Sequence, residues 1–274
     1  MIHVTNISLT VGGKQILKPA SFSLLNGEIV VVLGKNGAGK STLLKALTGI
    51  QKVDEGMILW DSQKMESFSI KDLSKMRAVL SQSISLNFPI KVRDLVEMGA
   101  YVMEQAPTKA RIEELLQDIL RKVEMEKFID RDFNTLSGGE QKRILLAKCL
   151  LQLESSTLSK KGQFLFLDEP TASLDIQQQF KLLALVKKLS AEGGVGVFAV
   201  VHDINLASQF ADRILLMKEG QIMKIGRPEE VLTQALLKEA FDIEAIISPH
   251  PVYGCPHITP VPTADFSQHS LKTT

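Results

Sequence analysis

Residues 28–47 read EIVVVLGKNGAGKSTLLKAL, and this stretch decides the fold. It opens with a nearly continuous aliphatic run, which is typical of a strand covered on both faces in the middle of a parallel sheet. A glycine-rich segment follows, after which LLKAL continues with apolar residues at helical spacing. The stretch therefore predicts a buried strand, a glycine loop and a helix in direct succession.

The loop between that strand and helix, GKNGAGKS, matches the pattern G-x-x-x-x-G-K-[ST]. Loops of this kind direct successive backbone N–H groups and a helix N-terminus at the phosphates of a nucleotide. We expect Lys40 to neutralise β- and γ-phosphate charge and Ser41 to bind Mg²⁺ through its hydroxyl. A glycine turn with an incidental lysine is the alternative, and the strand and helix on either side argue against it. The predicted phosphate contacts are Gly34, Lys35, Asn36, Gly37, Ala38, Gly39, Lys40, Ser41 and Thr42.

A second motif, FLFLDEP at residues 164–170, places two carboxylates at the end of an apolar strand. Ligands bind at the carboxyl ends of strands in doubly wound sheets. Asp168 is expected to hold Mg²⁺, directly or through water. Glu169 is the better candidate for polarising the attacking water, a general-base role worth about 10² to 10⁴ in rate. The alternative is a pair of solvated acids at a strand end.

Composition excludes several classes of protein. The chain has 274 residues, of which 45% are apolar, and the net charge of +1 creates no overall field that would concentrate nucleic acid or anionic lipid. Cys149 and Cys255 lack metal-ligand spacing, and the N-terminus does not resemble a signal peptide, so the reducing cytosol is the expected compartment. The most apolar windows, residues 144–153 and 194–201, are much shorter than the ~20 residues that cross a bilayer.

The order of patterns along the chain predicts its organisation. Strands are expected over residues 2–9 and 20–25, the second followed by an Asn26-Gly27 hairpin signal. From residue 86 to about 153 the pattern is helical, with no convincing strand. Strands and helices then alternate as in α/β proteins. Residues 248–274 carry five of the ten prolines and are expected to form an irregular, partly mobile tail.

The third motif, LSGGEQ at residues 136–141, starts an apolar helical pattern. Ser137 and Glu140 fit the S-x-x-E capping box, so the helix should begin beside Gly138 and Gly139. Two glycine amides, a serine hydroxyl and the positive end of a helix form an anion site that lacks its own lysine. Such a site is suited to completing a pocket on another molecule, although a plain helix cap is the alternative.

With these three motifs in this order, the chain resembles the nucleotide-binding subunit of an ABC transporter; Glu140 stands where that family more often has glutamine. The resemblance implies that two subunits pair head to tail, with Ser137, Gly138 and Gly139 of one chain capping the γ-phosphate held by Lys40 of the other. It also implies two cofactors, ATP and Mg²⁺.

Three further positions resemble motifs of the same family. Gln82, at the end of a predicted strand, resembles the glutamine that senses Mg²⁺ and couples to the membrane subunits. Residues 173–175 resemble the D-loop along the dimer seam. His202 resembles the switch histidine that contacts the γ-phosphate, although taken alone it would more often be structural. The resemblance thus predicts catalytic roles for Glu169, His202 and Lys40, nucleotide contacts from Gln82, Ser137, Gly138, Gly139, Glu140 and Asp175, and metal ligation by Ser41, Gln82 and Asp168.

The fold class implied is α/β, a P-loop NTPase (RecA-like) core with an N-terminal antiparallel β subdomain and an inserted α-helical subdomain. The ATPase domain is expected to cover residues 1–240. Within it, residues 1–85 and 162–240 form the core and β subdomain, and residues 86–161 form the helical subdomain. Residues 241–274 are a C-terminal extension.

The chain looks most similar to the ATPases of bacterial metal-chelate importers, and within that group to those for haem. The segments SLNFPIKVRDLV and FDIEAIISPHPVYGCPHITPV carry this likeness. Ferric-siderophore or cobalamin import is the alternative, and a soluble ABC ATPase of DNA repair or translation is a more distant one.

The implied partners are a second copy of the chain, integral membrane permease subunits and, indirectly, a substrate-binding protein, with no nucleic acid. The implied location is the cytoplasmic face of the bacterial inner membrane. His250, Cys255 and His257 are interpreted as tail residues, because haem would pass through the membrane subunits.

One position departs from the family pattern. Val11 aligns where an aromatic residue usually stacks on adenine, and such stacking is worth about 1 to 3 kcal/mol. We therefore predict weak discrimination of ATP from GTP, with phosphate contacts dominating affinity. Val11→Tyr should tighten ATP binding, measured by nucleotide titration of the purified chain. An unchanged affinity would contradict the alignment or its energetic interpretation.

Overall fold

A computed structural model describes residues 1–82, 87–102, 108–156 and 162–261. Its strands are β1 (Ile2–Val11), β2 (Lys14–Leu24), β3 (Ile29–Leu33), β4 (Glu55–Trp60), β5 (Gln63–Lys64), β6 (Arg77–Leu80), β7 (Phe164–Asp168), β8 (Gly196–Val200), β9 (Arg213–Lys218), β10 (Gln221–Gly226), β11 (Glu244–Pro249) and β12 (Pro256–Val261). Its α-helices are α1 (Lys40–Leu47), α2 (Ile70–Met76), α3 (Val92–Glu97), α4 (Lys109–Lys122), α5 (Gly138–Ser155), α6 (Ile176–Gly193), α7 (Ile204–Phe210), α8 (Pro228–Val231) and α9 (Gln234–Phe241). Short 3-10 turns lie at Met65–Ser67, Met98–Val102, Glu126–Phe128 and Phe133–Thr135.

The central sheet has the strand order β10-β9-β3-β8-β7-β6. Its strands β9, β3, β8, β7 and β6 run parallel to one another, and β10 is antiparallel at the edge. All five residues of β3 are buried. Their side chains alternate between two apolar clusters, with Ile29, Val31 and Leu33 on one face and Val30 and Val32 on the other. Burial on both faces explains why the run is uniformly aliphatic.

A second sheet, in the order β2-β1-β4-β5, is antiparallel and packs against the central sheet. An aromatic cluster joins the two. Trp60 of β4 packs edge-on against Phe164, with ring centroids 5.4 Å apart, and its ring also lies 6.2 Å from that of Phe166. The predicted N-terminal antiparallel subdomain is therefore present.

Helices α3, α4 and α5 form the inserted helical block, in which the described residues contain a single isolated bridge, Lys91 to Asp132, and no strand. Thr108 caps α4 by accepting a hydrogen bond from the backbone N–H of Arg111. Helix α5 runs through the apolar core between this block and the central sheet. Cys149 of α5 is buried, as expected of a small core residue, and burial raises the pKa of its thiol to about 12. The predicted fold class is confirmed.

The predicted hairpin at Asn26 and Gly27 is wrong. A turn does occur there, with Gly27 at a positive φ, but it links strands of different sheets. β2 pairs with β1, while β3 lies between β8 and β9. The turn signal is local, whereas strand pairing depends on partners far away in the sequence.

The prediction of an irregular tail is also wrong for residues 248–261. Strands β11 and β12 form an antiparallel hairpin in which Pro249 and Pro256 face each other. Asn205 of α7 holds β12, because its side chain both donates to the carbonyl of Ile258 and accepts from the N–H of the same residue. A hairpin with two edge strands tolerates proline wherever the missing N–H would face solvent. Residues 262–274, the rest of the predicted tail, lie outside the described ranges.

None of the helices in the described part of the chain combines the length and the apolar composition needed to cross a membrane.

Phe166 provides a test of the contact between the two sheets. It is fully buried, and its ring lies 6.2 Å from Trp60 and 6.0 Å from Phe198. Phe166→Ala should lower the free energy of unfolding by about 3 to 5 kcal/mol, because it leaves a cavity at this junction. Urea denaturation measures the loss, and Phe88→Ala, at a side chain that is 55% exposed, is the control. Equal effects of the two variants would contradict the proposed packing role.

Candidate functional site

Four neighbouring parallel strands, β3, β8, β7 and β6, deliver the predicted functional residues to one edge of the central sheet. The glycine loop follows β3, and Gln82 follows β6. Asp168 is the last residue of β7, and His202 follows β8 by two residues. Because the carboxyl ends of parallel strands meet at the same edge, residues far apart in the sequence become neighbours.

The glycine loop holds its lysine inward. Gly39 has φ of 96° at the start of α1, and a Cβ there would lie 2.9 Å from the carbonyl oxygen of Ile16. The first N–H groups of α1 have no intrahelical partners and face the loop. Lys40 is buried, and its ammonium donates to the carbonyl oxygens of Gly34 at 2.7 Å and Lys35 at 3.0 Å. Burial lowers the pKa of Lys40, while the charges of Glu169 and Asp168 oppose that shift.

Ser41 and Asp168 suit a magnesium ion. The Ser41 hydroxyl donates to Asp168 Oδ1 at 3.1 Å, so two oxygen groups of the kind that Mg²⁺ prefers lie together. Asp168 is buried. Burial raises its pKa, as does the charge of Glu169, whereas the hydrogen bond from Ser41 lowers it. A divalent cation would compensate the two adjacent carboxylates that this site holds in a partly buried environment.

Glu169 is held at both carboxylate oxygens. His202 Nε2 lies 2.5 Å from Oε1, and Gln82 Nε2 donates to Oε2 at 2.7 Å. Burial alone would raise the pKa of Glu169. The hydrogen bond and charge of His202, the hydrogen bond from Gln82 and the charge of Lys40 outweigh burial and hold this pKa below its usual value. The backbone of Glu169 has φ of 50°, which is uncommon for a residue with a side chain. The carboxylate is thus oriented and favoured in its anionic form.

A cleft of about 580 Å³ lies over these groups. The residues lining it are Lys14, Ile16, Asn36, Gly37, Gly39, Lys40, Ser41, Thr42, Gln82, Glu169 and His202. Lys14 and Ile16 of β2 are functional candidates that the sequence motifs miss, because they belong to the other sheet. Val11, at the end of β1, is 53% exposed and is not part of the lining.

Residues 137–140 and Asp175 do not line this cleft. The family resemblance assigns Ser137, Gly138 and Gly139 to the nucleotide held by a second copy of the chain, and residues 173–175 to the seam between the two copies. They lie together elsewhere. A Cβ on Gly139 would be 3.1 Å from Leu174 Cδ2, and one on Gly138 would be 3.8 Å from Ser173 Cβ. Asp175 caps α6 by accepting from the N–H of Gln178 at 2.8 Å.

The predicted capping box at Ser137 and Glu140 is present. Glu140 Oε2 accepts from the Ser137 N–H at 2.8 Å and from its hydroxyl at 2.9 Å. Both hydrogen bonds lower the pKa of Glu140, and the one from the Ser137 N–H has the larger effect. The start of α5 is therefore capped by hydrogen bonds, and Gly138 and Gly139 lie outside the lining of the subunit's own cleft. We call residues 136–140 the signature tip.

Lys142, two residues beyond the signature tip, contacts the site in a way that the motifs do not predict. It is buried, and its ammonium donates to the carbonyl oxygens of Gln82 and Glu169. In the sequence, a lysine in a helical segment carries no signal that separates a buried lysine from a solvated one. Only the approach of α5 to the ends of β6 and β7 brings it into the site.

Comparison with known proteins agrees with this geometry. The model of the family described as ABC transporter matches residues 17–172. The hemin import ATP-binding protein HmuV of Hahella chejuensis is 42% identical over 258 residues, which cover 94% of this chain and 99% of that protein.

Solved structures give the same result. A metal-chelate type ABC transporter in an inward-facing conformation aligns with a TM-score of 0.77 at 26% identity, covering 95% of this chain and 97% of that one. A dimeric bacterial ABC transporter cassette aligns with a TM-score of 0.73 at 27% identity, covering 83% and 98%. With its glycine loop, signature tip and strand-end carboxylates in one fold, the chain belongs to the ABC transporter family.

Proposed function

We propose that this chain is the ATP-binding and ATP-hydrolysing subunit of a bacterial ABC importer for haem. The observation that supports hydrolysis is the carboxylate of Glu169, fixed at both oxygens beside a lysine-bearing phosphate loop. Likeness to the Hahella chejuensis protein along nearly the whole of both chains supports haem as the cargo.

In this proposal each side chain of the cleft has one task. Lys40 binds the β- and γ-phosphates, and the N–H groups of residues 34–42 surround them. Glu169 accepts a proton from the attacking water. His202, which is hydrogen-bonded to Oε1 of that carboxylate, contacts the γ-phosphate. Gln82 senses whether Mg²⁺ is bound.

Mg²⁺ fits the oxygen groups of Ser41 and Asp168, with Gln82 as a third candidate ligand. The ion would neutralise charge on the phosphates. Ser41 and Asp168 are already oriented toward one another by their hydrogen bond. Little rearrangement of these two side chains is then needed for both to face one ion.

The signature tip serves a second copy of the chain. Its glycine N–H groups and helix N-terminus suit an anion, yet the tip does not line the cleft of its own subunit. In a head-to-tail dimer, Ser137, Gly138 and Gly139 would cap the γ-phosphate held by the partner, with Asp175 along the seam. Likeness to a dimeric cassette supports this arrangement.

The permease is proposed to dock beside the segment that follows Gln82. Phe88 and Tyr101 expose 55% and 80% of their surface there. Asn134 Nδ2 donates to the carbonyl of Phe88 and ties this segment to the helical block. Residues 83–86, between Gln82 and this exposed segment, lie outside the described residues. Docking would place the subunit on the cytoplasmic face of the inner membrane.

Gly138→Asp tests the composite site. A Cβ at this position meets only Ser173 Cβ, at 3.8 Å, so the variant should fold normally. Its carboxylate would face the partner's γ-phosphate, and ATPase turnover should fall by about 100-fold or more, as when a transition-state donor is lost. ATP affinity of the separate subunit should stay unchanged.

Ala110→Asp is the control, because it adds the same charge in the first turn of α4, on an exposed surface. It should keep wild-type turnover. Full turnover in Gly138→Asp would show that the tip does not complete a nucleotide site.

Transport in proteoliposomes tests the cargo. With its permease and binding protein, the chain should drive ATP-dependent uptake of haem, and Glu169→Gln should abolish uptake while leaving ATP bound. Movement of cobalamin or a ferric siderophore, with haem excluded, would favour the other metal-chelate importers. Co-purification with nucleic acid in place of a membrane protein would favour a soluble ABC ATPase.

A further inference from the structure

Lys142 is a buried cation whose partners are main-chain oxygens. Its side chain is 8% exposed, and Nζ donates to the carbonyl of Gln82 at 2.6 Å and to that of Glu169 at 3.2 Å. Among the described residues its ammonium forms no ion pair with a carboxylate within 4.0 Å. Burying an ammonium is costly unless hydrogen bonds compensate it, so these two carbonyls stabilise Lys142 in this position.

The two carbonyls belong to residues that are themselves joined. Gln82 Nε2 donates to Glu169 Oε2 at 2.7 Å. Lys142 therefore closes a ring of hydrogen bonds that passes through the main chain of Gln82, its side chain, the carboxylate of Glu169 and the Glu169 main chain. Movement of the ammonium would displace both residues at once.

The backbone of Glu169 needs such support. Its φ of 50° is left-handed, and a residue with a side chain keeps that conformation only when its surroundings hold it. The Glu169 N–H donates to the carbonyl of Val200 at 3.1 Å, and its own carbonyl accepts from the N–H of Ala172 at 3.2 Å. Lys142 adds a second donor to that carbonyl, from a different part of the fold.

The lysine also shares a helix with the signature tip. Ser137 caps α5, and Lys142 lies five residues later, about 7.5 Å along the helix axis. The capping box closes the first turn of this helix with hydrogen bonds between Ser137 and Glu140. A displacement of the tip together with α5 would also displace Lys142.

We propose that Lys142 is a positioning residue that holds Glu169 and Gln82 for hydrolysis and couples their placement to the signature tip of the same chain. In a head-to-tail dimer, the tip contacts the nucleotide of the partner, so Lys142 connects one ATP site to the other. The inference rests on the roles proposed above for Glu169, Gln82 and the tip.

Lys142→Met tests the inference, because it keeps a long apolar stem and removes the donors. We expect kcat for ATP to fall by about 10- to 100-fold, since displacement of a catalytic group by about 1 Å costs up to that much, with KM unchanged. Lys142→Arg, which keeps donors for both carbonyls, should retain more activity than Lys142→Met. It also keeps the test decisive if the methionine variant does not fold.

The matched control is Lys148→Met, which removes a lysine about 9 Å further along the same helix. Lys148 forms no side-chain hydrogen bond or ion pair within the described ranges, and its loss should leave kcat unchanged. Melting temperatures of all variants separate lost positioning from lost folding.

Turnover of Lys142→Met in the Glu169→Gln background distinguishes a positioning role from a merely structural one. If Lys142 acts through the Glu169 carboxylate, Lys142→Met should cause little further loss of residual turnover in that background. Independent, multiplying losses would overturn the inference, as would wild-type kcat in folded Lys142→Met or an equal loss in Lys148→Met. Undiminished turnover in Glu169→Gln alone would instead contradict the role of Glu169 in the proposed function.

Discussion

The parallel arrangement of β3, β8, β7 and β6 is the constraint on which the site depends. Strands β3, β8 and β7 are buried on both faces, and β6 pairs with β7 at the edge of the sheet, so the aliphatic residues of the three inner strands cannot leave the middle of the sheet without exposing a large apolar surface. Their carboxyl ends must then lie side by side. The phosphate loop, His202, the Asp168-Glu169 pair and Gln82 occupy those four ends, and hydrogen bonds among them follow from strand order.

Helix α5 connects this edge to a second one. Its first turn carries the signature tip, which lies outside the cleft, while Lys142 of the same helix donates to the main-chain carbonyls of Gln82 and Glu169, two residues that line the cleft. In the proposed function, a single chain therefore contributes half of two different sites: a phosphate-binding loop to one and helix N–H groups for an anion to the other. The dimer proposed for the ABC transporter fold uses both halves.

The motifs with a strong local cause were predicted correctly. Burial on both faces requires an aliphatic strand, a phosphate loop requires glycine, and a capping box requires its serine and glutamate at fixed spacing; all three occur as expected. The family resemblance and the fold class are confirmed by the comparisons. The wrong predictions, a hairpin at Asn26-Gly27 and an irregular segment at 248–261, concern strand pairing. Pairing energy comes from partners that local residue preferences do not identify.

The sequence by itself determined the candidate groups for the proposed chemistry: a lysine in a glycine loop, two carboxylates after an apolar strand, and a serine and two glycines at a helix start. Their residue types and short-range spacing are enough for that, because each motif is one local structure. Only the tertiary structure decided which of these residues are in contact with one another. Three sets of contacts join segments that are distant along the chain: Glu169 with Gln82 and His202, Lys142 with two carbonyls, and β2 with the cleft. Packing of buried apolar surfaces brings these segments together.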